Sequence, residues 1–293
     1  VGGGLGLAVY AKDGLPGRFP PEVLKRVMNK DDNVEIAKAC QLATPAKLSA
    51  ECDSVGPPDS PLVVIWGDSH AYHLLPGLLA LQQERRNFRL AGYIEFGCAP
   101  MADALASYPP YCNETNAFSR QKIELRRADT VILAARWSIY DGAGKFRLVD
   151  DKALTQTIEW LKAVGVQHIV VFGQFPHWKL APSVIPLRDF QFSILKHSVT
   201  AEKIPDWDSA YLTEQVFSAE QMVKRVAIAE GVTFISPAAT LCKGDSCLIT
   251  VPDSGGMPTS HDDGHLTAAA SKFFVAKNAA AIRPDYRKQA LPR

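Results

Sequence analysis

The sequence lacks the features that mark several large classes of protein. No stretch reaches the ~20 consecutive apolar residues that a membrane-spanning helix needs. The net charge is only +1, without a basic stripe or an acidic tail, so we expect no nucleic acid and look for neutral or small partners. Internal repeats and low-complexity segments are absent as well. The 293 residues, 47% apolar and 22% charged, are typical of one large globular domain with or without an appendage.

Motifs for common cofactors and metals are also missing. The chain contains no phosphate loop, no dinucleotide-binding glycine pattern, no Cys-x-x-Cys and no Cys/His cluster at zinc spacing. We therefore expect this domain to use neither a cofactor nor a metal.

Six cysteines stand in three pairs that are close in sequence: Cys40 with Cys52, Cys98 with Cys112, and Cys242 with Cys247. An even, locally paired set predicts three disulfides and an oxidising compartment. The alternative is six buried free thiols in a cytosolic protein. The polar KGDS segment enclosed by the last pair favours disulfides, because it does not suit a core.

The chain divides into an extension, a main domain and a short tail. Residues 1–60 begin with many Pro and Gly and carry only weak helical patterns, and SVGPPDSP reads as a loop, so we place the domain boundary near Pro61. The main domain covers 61–283 and the tail 284–293. The sequence opens without an initiator Met or a signal segment, which fits either a removed signal or a soluble piece of a longer polypeptide.

Short β-rich runs alternate with helical patterns through the main domain. The predicted strands are 62–68, 88–96, 130–137, 168–175 and 232–238, and the predicted helices are 71–86, 116–128, 151–164, 213–230 and 266–282. Several strands are nearly continuous apolar runs, as in a parallel sheet covered on both faces. This order predicts a doubly wound, three-layer α/β/α sandwich with a five-stranded parallel sheet. The stretch 176–211 is too long for a plain connection, so we expect a helix near FQFSILKHSV.

The first predicted strand ends in WGDSHAYHL. Ligands of open parallel sheets bind at the carboxyl ends of the strands, and a helix N-terminus there presents free N–H groups to an oxyanion. Ser69 is therefore a candidate nucleophile. The simpler hypothesis is that Asp68 or Ser69 only caps the helix, and this stretch alone favours the cap.

A serine nucleophile needs a base and an acid that orients the base. His265, in SHDDGHLTAAAS, is the informative histidine because Asp262, three residues earlier in a polar loop, can fold back onto its ring. His70 and His73 share the helix of the serine, which gives a base poor geometry. Alternatively, Asp263 caps the last helix and His265 is a surface residue. The two motifs together, at the first strand end and the last helix start, favour a catalytic triad.

These motifs resemble those of the SGNH (GDSL-like) hydrolase superfamily, through GDSH at 67–70, DDGH at 262–265 and the strand order over about 61–283. Within it, the sequence is most similar to periplasmic domains fused to the membrane-spanning acyltransferase-3 (AT3) domain of bacterial O-acetyltransferases. The segments that carry this likeness are GDSHA, YIEFGCAP, ILAARWSIY, VVFGQFP and DDGHLTAAAS. The resemblance implies a flavodoxin-like fold, in which residues 1–60 join the sheet domain to the membrane domain.

The resemblance also implies the roles of the site residues. Ser69 is expected to be the nucleophile, His265 the general base and then acid, and Asp262 the residue that orients the histidine. No cofactor is implied in this domain. The acetyl group would derive from acetyl-CoA through the attached membrane domain.

The superfamily often completes its oxyanion hole with a Gly after the second strand and an Asn after the third. Gly97 in FGCAP matches the first position, beside the N–H of Ser69. At the second position the chain has ARWS instead. Either the indole N–H of Trp137 or the guanidinium of Arg136 donates there, or Trp137 simply packs in the core.

Three functions fit this reading. The first is O-acetyl transfer to a hydroxyl of a bacterial surface polysaccharide such as lipopolysaccharide O-antigen. The second is hydrolysis, in which the same triad acts as an esterase that deacetylates a carbohydrate or lipid. The third is a saccharide-binding module with a relict site. The intact triad argues against the third, and the fusion-like start and the cysteine pairs favour transfer over hydrolysis.

Transfer implies partners and a location. We expect the AT3 membrane domain of the same polypeptide and a polysaccharide acceptor as partners, a monomer when the domain is isolated, and a periplasmic position tethered to the inner membrane. Aromatic residues near the predicted strand ends are candidates for the sugar site, although most aromatics in such runs are core: Tyr72, Trp137, Tyr140, Phe175 and Trp178.

Overall fold

The structure is a computed structural model that describes residues 40–42, 48–105, 108–140, 149–188, 206–213 and 215–282, together with 21 and 24. The helix expected near FQFSILKHSV, most of the extension 1–60 and the tail 284–293 lie outside these residues. Among the residues described, no helix is long and apolar enough to cross a membrane.

In the described part of the chain, eight strands form two sheets. They are β1 Leu62–Gly67, β2 Arg89–Ile94, β3 Thr130–Ala134, β4 His168–Phe172, β5 Trp207–Asp208, β6 Thr233–Ile235, β7 Cys242–Lys243 and β8 Ser246–Leu248. The main sheet has the order β2-β1-β3-β4-β6, and all of its neighbours run parallel. When only the strands of the main sheet are numbered in chain order, so that β6 becomes the fifth strand, this is the flavodoxin-like order 2-1-3-4-5. The predicted fold is therefore confirmed.

Helices cover both faces of the main sheet. They are α1 Ala50–Asp53, α2 Ser69–Tyr72, α3 Leu75–Arg85, α4 Pro110–Leu125, α5 Asp151–Ala163, α6 Gln215–Ala229, α7 Pro237–Leu241 and α8 Ala268–Ile282. Helices α3 and α8 pack against each other on one face, and α5 and α6 pack together on the other. The result is a three-layer α/β/α sandwich.

The residues of β1 explain why its sequence is a continuous apolar run. Successive side chains of a strand point to opposite faces. Val63 and Ile65 enter the core beneath α3 and α8, whereas Val64 and Trp66 enter the core on the other face. Because neither face meets water, no polar residue interrupts the strand before Gly67.

The predicted helix 71–86 is two helices in the structure. Helix α2 ends at Tyr72, and α3 begins at Leu75 with Pro76 in its first turn. A proline has no N–H, and its ring would collide with the carbonyl of Tyr72 if one helix continued through both segments. The break leaves Ser69 on a separate helical turn directly above the strand end.

The described part of the predicted extension lies on the edge strand β2. Gln41 pairs in parallel with Ile94, and Val55 pairs antiparallel with Leu90. These contacts cover part of an edge that would otherwise expose unpaired backbone groups. Gln41 and Val55 therefore pack against the sheet domain, and a boundary near Pro61 stays a prediction.

The three predicted disulfides are present, and all six cysteines are paired. Cys242 and Cys247 face each other across the hairpin of β7 and β8. This hairpin and β5 form a small antiparallel sheet that the sequence did not predict, since strands of two or three residues are too short to show alternation.

Candidate active site

Ser69 is the first residue of α2, directly after the end of β1. The carboxylate of Asp68 caps this helix, because its Oδ1 accepts from the N–H of His70 at 2.7 Å. Gly67 is required beside it, since a Cβ at that position would lie 1.8 Å from the carbonyl oxygen of Ala134. The cap and the nucleophile are thus not alternatives: Asp68 caps the helix, and the Ser69 hydroxyl is free for another partner.

That partner is His265, 196 residues further along the chain. Its Nε2 lies 2.8 Å from Oγ of Ser69, and its Nδ1 lies 2.6 Å from Oδ2 of Asp262. The other oxygen of Asp262 accepts from the N–H groups of Gly264 at 2.9 Å and His265 at 2.7 Å. The fold brings the three predicted residues into one hydrogen-bonded chain, with the geometry of a Ser-His-Asp triad.

The environment of Asp262 keeps its carboxyl ionised. Burial by itself would raise the pKa, but the hydrogen bond and charge of His265 and two backbone N–H groups together hold the pKa of Asp262 well below its usual range. A carboxylate at 2.6 Å favours the proton on Nδ1 of His265, which leaves the Nε2 lone pair for the hydroxyl proton of Ser69.

Comparison with known proteins places this arrangement in a family. The sequence profile of SGNH domains that are fused to AT3 domains matches residues 35–277, most of the chain. The chain belongs to this family of SGNH domains. The suspected resemblance is therefore confirmed.

One solved structure has the same fold. The periplasmic domain of a lipopolysaccharide acetyltransferase from Salmonella ser. Paratyphi A matches with a TM-score of 0.69 at 20% identity, over 88% of this chain and 99% of that chain. A carbohydrate acetylesterase from Sinorhizobium meliloti matches with a TM-score of 0.46 at 11% identity, over 76% of this chain and 100% of that one. No curated protein sequence matches the chain. The Salmonella domain shares its fold with this SGNH domain over nearly all of its own length.

The second carboxylate next to the nucleophile, Asp68, has a structural role in the SGNH domain. Its Oδ2 accepts from the N–H of Arg136 at 3.0 Å and from the hydroxyl of Tyr140 at 2.9 Å. Burial raises the pKa of Asp68, while the bonds from Arg136, His70 and Tyr140 oppose that rise. Asp68 therefore joins the end of β1 to the loop after β3.

Two buried histidines pack next to His265, the predicted base. The rings of His70 and His73 lie 5.2 and 6.2 Å from that of His265, and both also contact Phe175. Burial first, and nearby positive charge second, hold the pKa of each well below its usual range, so both are neutral at neutral pH. They are packing neighbours of the base, as the sequence predicted for His70.

The expected oxyanion donor Trp137 is corrected by the structure. Its side chain is fully buried, and its indole N–H donates to the carbonyl oxygen of Phe172 at 2.8 Å. The indole therefore packs in the core and ties the loop after β3 to the end of β4. Gly97 follows β2, is exposed and has φ 75°, a left-handed conformation that suits glycine. Its N–H stays a predicted donor beside that of Ser69.

A polar cluster that the sequence did not predict holds the loop of the DDGH motif. The guanidinium of Arg136 contacts Nε2 of His177 and lies 3.3 Å from Oδ2 of Asp263, which is itself 3.0 Å from Nε2 of His177. The N–H of Trp178 donates to the carbonyl oxygen of Asp263 at 2.7 Å. Three separate loops meet here, so no local spacing could reveal the cluster. The side chain of Arg136 therefore holds Asp263, the residue next to Asp262, in position.

The predicted sugar-binding aromatics are mostly core residues. Each of Trp137, Tyr140, Phe175 and Trp178 is at most 2% exposed, and Tyr72 is 9% exposed. These five positions follow strand ends in sequence, but their side chains are buried and leave little surface for a ligand.

A metal ion would compete with the triad rather than assist it. Within the described part of the chain, one group of possible metal ligands occurs, with the ligand atoms of His261, Asp262 and His265 within 4.8 Å of one another. Two of these side chains are already bonded to each other, and His265 is bonded to Ser69. We therefore assign the group to the triad.

Proposed function

We propose that this SGNH domain is an O-acetyltransferase domain, which moves an acetyl group through Ser69 to a hydroxyl of a bacterial surface polysaccharide such as lipopolysaccharide O-antigen. The observation that carries the proposal is the continuous chain of hydrogen bonds from Ser69 through His265 to Asp262. Membership of a family whose domains are fused to AT3 domains supports transfer as the reaction. The likeness in fold to a lipopolysaccharide acetyltransferase domain supports the acceptor class.

The first half of the reaction loads the serine. Oγ of Ser69 attacks the acetyl carbonyl while Nε2 of His265 takes the hydroxyl proton. In this proposal the N–H groups of Ser69 and Gly97 donate to the oxyanion of the tetrahedral intermediate. When the intermediate collapses, the bond to the leaving group breaks and the imidazolium returns its proton to that group. Asp262 remains ionised and stabilises the imidazolium.

The second half transfers the acetyl group to the acceptor. A saccharide hydroxyl gives its proton to Nε2 of His265 and attacks the acetyl-serine carbonyl. The ester bond to Ser69 then breaks, Oγ recovers the proton, and the O-acetylated saccharide leaves. Water in place of the sugar would give acetate, which is the esterase alternative.

The partners and location follow from the same proposal. The AT3 membrane domain of the same polypeptide would supply the acetyl group, derived from acetyl-CoA, and the SGNH domain would need no cofactor of its own. Three disulfides suit a periplasmic domain, because the periplasm is oxidising.

The test measures where the acetyl group goes. The full-length polypeptide with the proposed AT3 domain is supplied with an acetyl donor in the presence and absence of O-antigen polysaccharide, and O-acetylated sugar and free acetate are quantified together. We expect added polysaccharide to divert acetyl groups from water, and Ser69→Ala to abolish both products. Release of acetate that no polysaccharide diverts would replace the transferase by the esterase.

A further inference from the structure

Two aromatic side chains near the site are exposed, unlike the buried rings around them. Phe96 is 37% exposed and Tyr111 is 40% exposed. Leu125 and Ile228 are the other large apolar side chains that are exposed in the described parts of the chain. An isolated exposed apolar residue needs no explanation, but two aromatic rings beside a candidate nucleophile do.

Both rings flank the candidate oxyanion residue. Phe96 directly precedes Gly97, and the hydroxyl of Tyr111 lies 3.9 Å from the point where a Cβ of Gly97 would be. Among the described residues, no other atom beyond the chain neighbours of Gly97 comes within 4 Å of that point. The ring of Phe96 also meets the ring of Tyr72 edge-on, with centroids 5.6 Å apart. Tyr72 belongs to the helix that begins at Ser69, so the ring of Phe96 contacts the helix that carries the candidate nucleophile.

A disulfide holds the two rings in place relative to each other. Cys98 follows Phe96 by two residues, and its partner Cys112 directly follows Tyr111. The bond therefore joins the loop after β2 to the first turn of α4 at the point where each presents its ring. A preorganised pair of rings binds a ligand at a lower entropic cost than two mobile ones.

We propose that Phe96 and Tyr111 form an aromatic subsite on which a pyranose ring of the acceptor saccharide stacks, next to the acetylated serine. This inference rests on the proposed transfer to a saccharide hydroxyl. A pyranose has apolar C–H faces and a polar rim, so an exposed aromatic face covers the former, and the hydroxyl of Tyr111 can hydrogen-bond to the latter. Two rings are too small a surface for a stable protein partner, which buries about 1,000 Å² or more.

The experiment uses the full chain and a panel of purified O-antigen polysaccharides as acceptors. Phe96→Leu and Tyr111→Leu keep an apolar side chain but remove the ring. The measured quantity is the half-diverting concentration, at which half of the acetyl groups go to the polysaccharide rather than to water. Each substitution should raise this concentration by about 5-fold. Phe96→Tyr keeps a ring, so its half-diverting concentration should stay close to that of the parent. Leu125→Ala, at an exposed apolar position on the same helix as Tyr111, should leave the half-diverting concentration unchanged.

Three results would overturn the subsite. Unchanged acceptor dependence in both leucine variants, with thermal melts like that of the parent, would remove it while leaving the transferase intact. Altered preference between acetyl and butyryl donors, without an altered acceptor dependence, would make the patch an acyl pocket. Failure of every polysaccharide to divert acetyl in the unsubstituted chain would contradict the transferase proposal itself, and the subsite with it.

Discussion

The reactivity expected of Ser69 comes from its neighbours rather than from the serine itself. A free serine hydroxyl is a weak nucleophile, and here His265 lies 2.8 Å away to take its proton. The imidazole in turn is aligned by a carboxylate that also accepts two backbone N–H groups. Each of the three residues therefore contributes through the other two, and their single substitutions should not be additive.

The first prediction concerns the nucleophile and the base. Ser69→Ala and His265→Ala should each lower kcat for acetyl-ester turnover by about 10⁴-fold or more, while the far-ultraviolet circular dichroism stays that of the parent. His261→Ala is the matched control, since that ring stacks on His265 but is outside the triad. Near-parental turnover in either triad variant would contradict the assignment.

The second prediction concerns Asp262. Asp262→Asn should lower kcat by about 10³–10⁴-fold, because an amide does not hold the histidine in the required tautomer as a carboxylate does. The pKa of Asp262 is lower in the folded than in the unfolded chain, so its carboxylate stabilises the fold above about pH 4, and that stability is lost as the pH falls toward the folded value. Urea unfolding of parent and variant should therefore differ by a constant amount from pH 5 to 8 and converge at lower pH. A stability difference between parent and variant that grows below pH 5 would contradict this prediction.

At the scale of elements, the site depends on how strand ends are tied together. Asp68 joins the turn after β1 to the loop after β3, Trp137 joins that loop to the end of β4, and Asp263 joins the DDGH loop to the loop after β4. These bonds set the positions of residues that are far apart in sequence.

The third prediction tests the Asp68 link. Asp68→Ala leaves the buried donors of Arg136, Tyr140 and His70 without their acceptor, and should lower the free energy of unfolding by about 3 kcal/mol. Asp68→Asn keeps one carbonyl oxygen and should cost less. Chemical denaturation of both variants measures the difference, and equal stability of Asp68→Ala and the parent would disprove the link.

The fourth prediction compares two disulfides. Replacing Cys98 and Cys112 by Ser should lower the free energy of unfolding by about 3 kcal/mol, and replacing Cys242 and Cys247 by about 2 kcal/mol, because the first pair closes the longer loop. Only the first pair borders Gly97, so only its loss should also lower kcat, by about 10-fold. Equal effects of the two double variants on kcat would contradict the prediction that the loop of Gly97 contributes to catalysis.

At the scale of the whole molecule, the triad exists only in the folded chain. Ser69 follows β1, an inner strand of the main sheet, and His265 lies just before α8, the last described helix. The doubly wound topology brings both to the carboxyl edge of the sheet. Global stability and formation of the site are therefore one event.

The fifth prediction concerns the pH dependence of that stability. The pKa values of His70 and His73 are lower in the folded than in the unfolded chain, so the unfolded state binds more protons and stability is lost as the pH falls below about 6.5. Each histidine contributes a slope of up to about 1.4 kcal/mol per pH unit. His70→Phe should flatten the dependence between pH 6.5 and 5, measured by denaturant unfolding. His168→Phe, at the partly exposed start of β4, serves as the comparison, and equal slopes in both variants would refute the prediction.

Local patterns were sufficient wherever neighbours in sequence determine the outcome. The apolar runs predicted the parallel strands, the cysteine spacing predicted the disulfides, and Asp262 with His265 lie within one loop. The break between α2 and α3 could have been read from Pro76. The roles of Trp137 and Arg136 could not, because both depend on atoms contributed by β4 and the DDGH loop.

The sequence by itself predicted the layered α/β fold, the three residues that the structure joins in one hydrogen-bonded chain, and the covalent pairing of the cysteines. The tertiary structure alone showed that Asp68 joins two loops through hydrogen bonds and that Trp137 packs in the core. It also showed that Arg136 contacts the DDGH loop and that the rings of Phe96 and Tyr111 are exposed. The physical reason is the distance along the sequence between the residues in contact. Periodicity and short spacings encode contacts within an element, whereas the direction of a side chain at a strand end is determined by whichever distant loop packs against it.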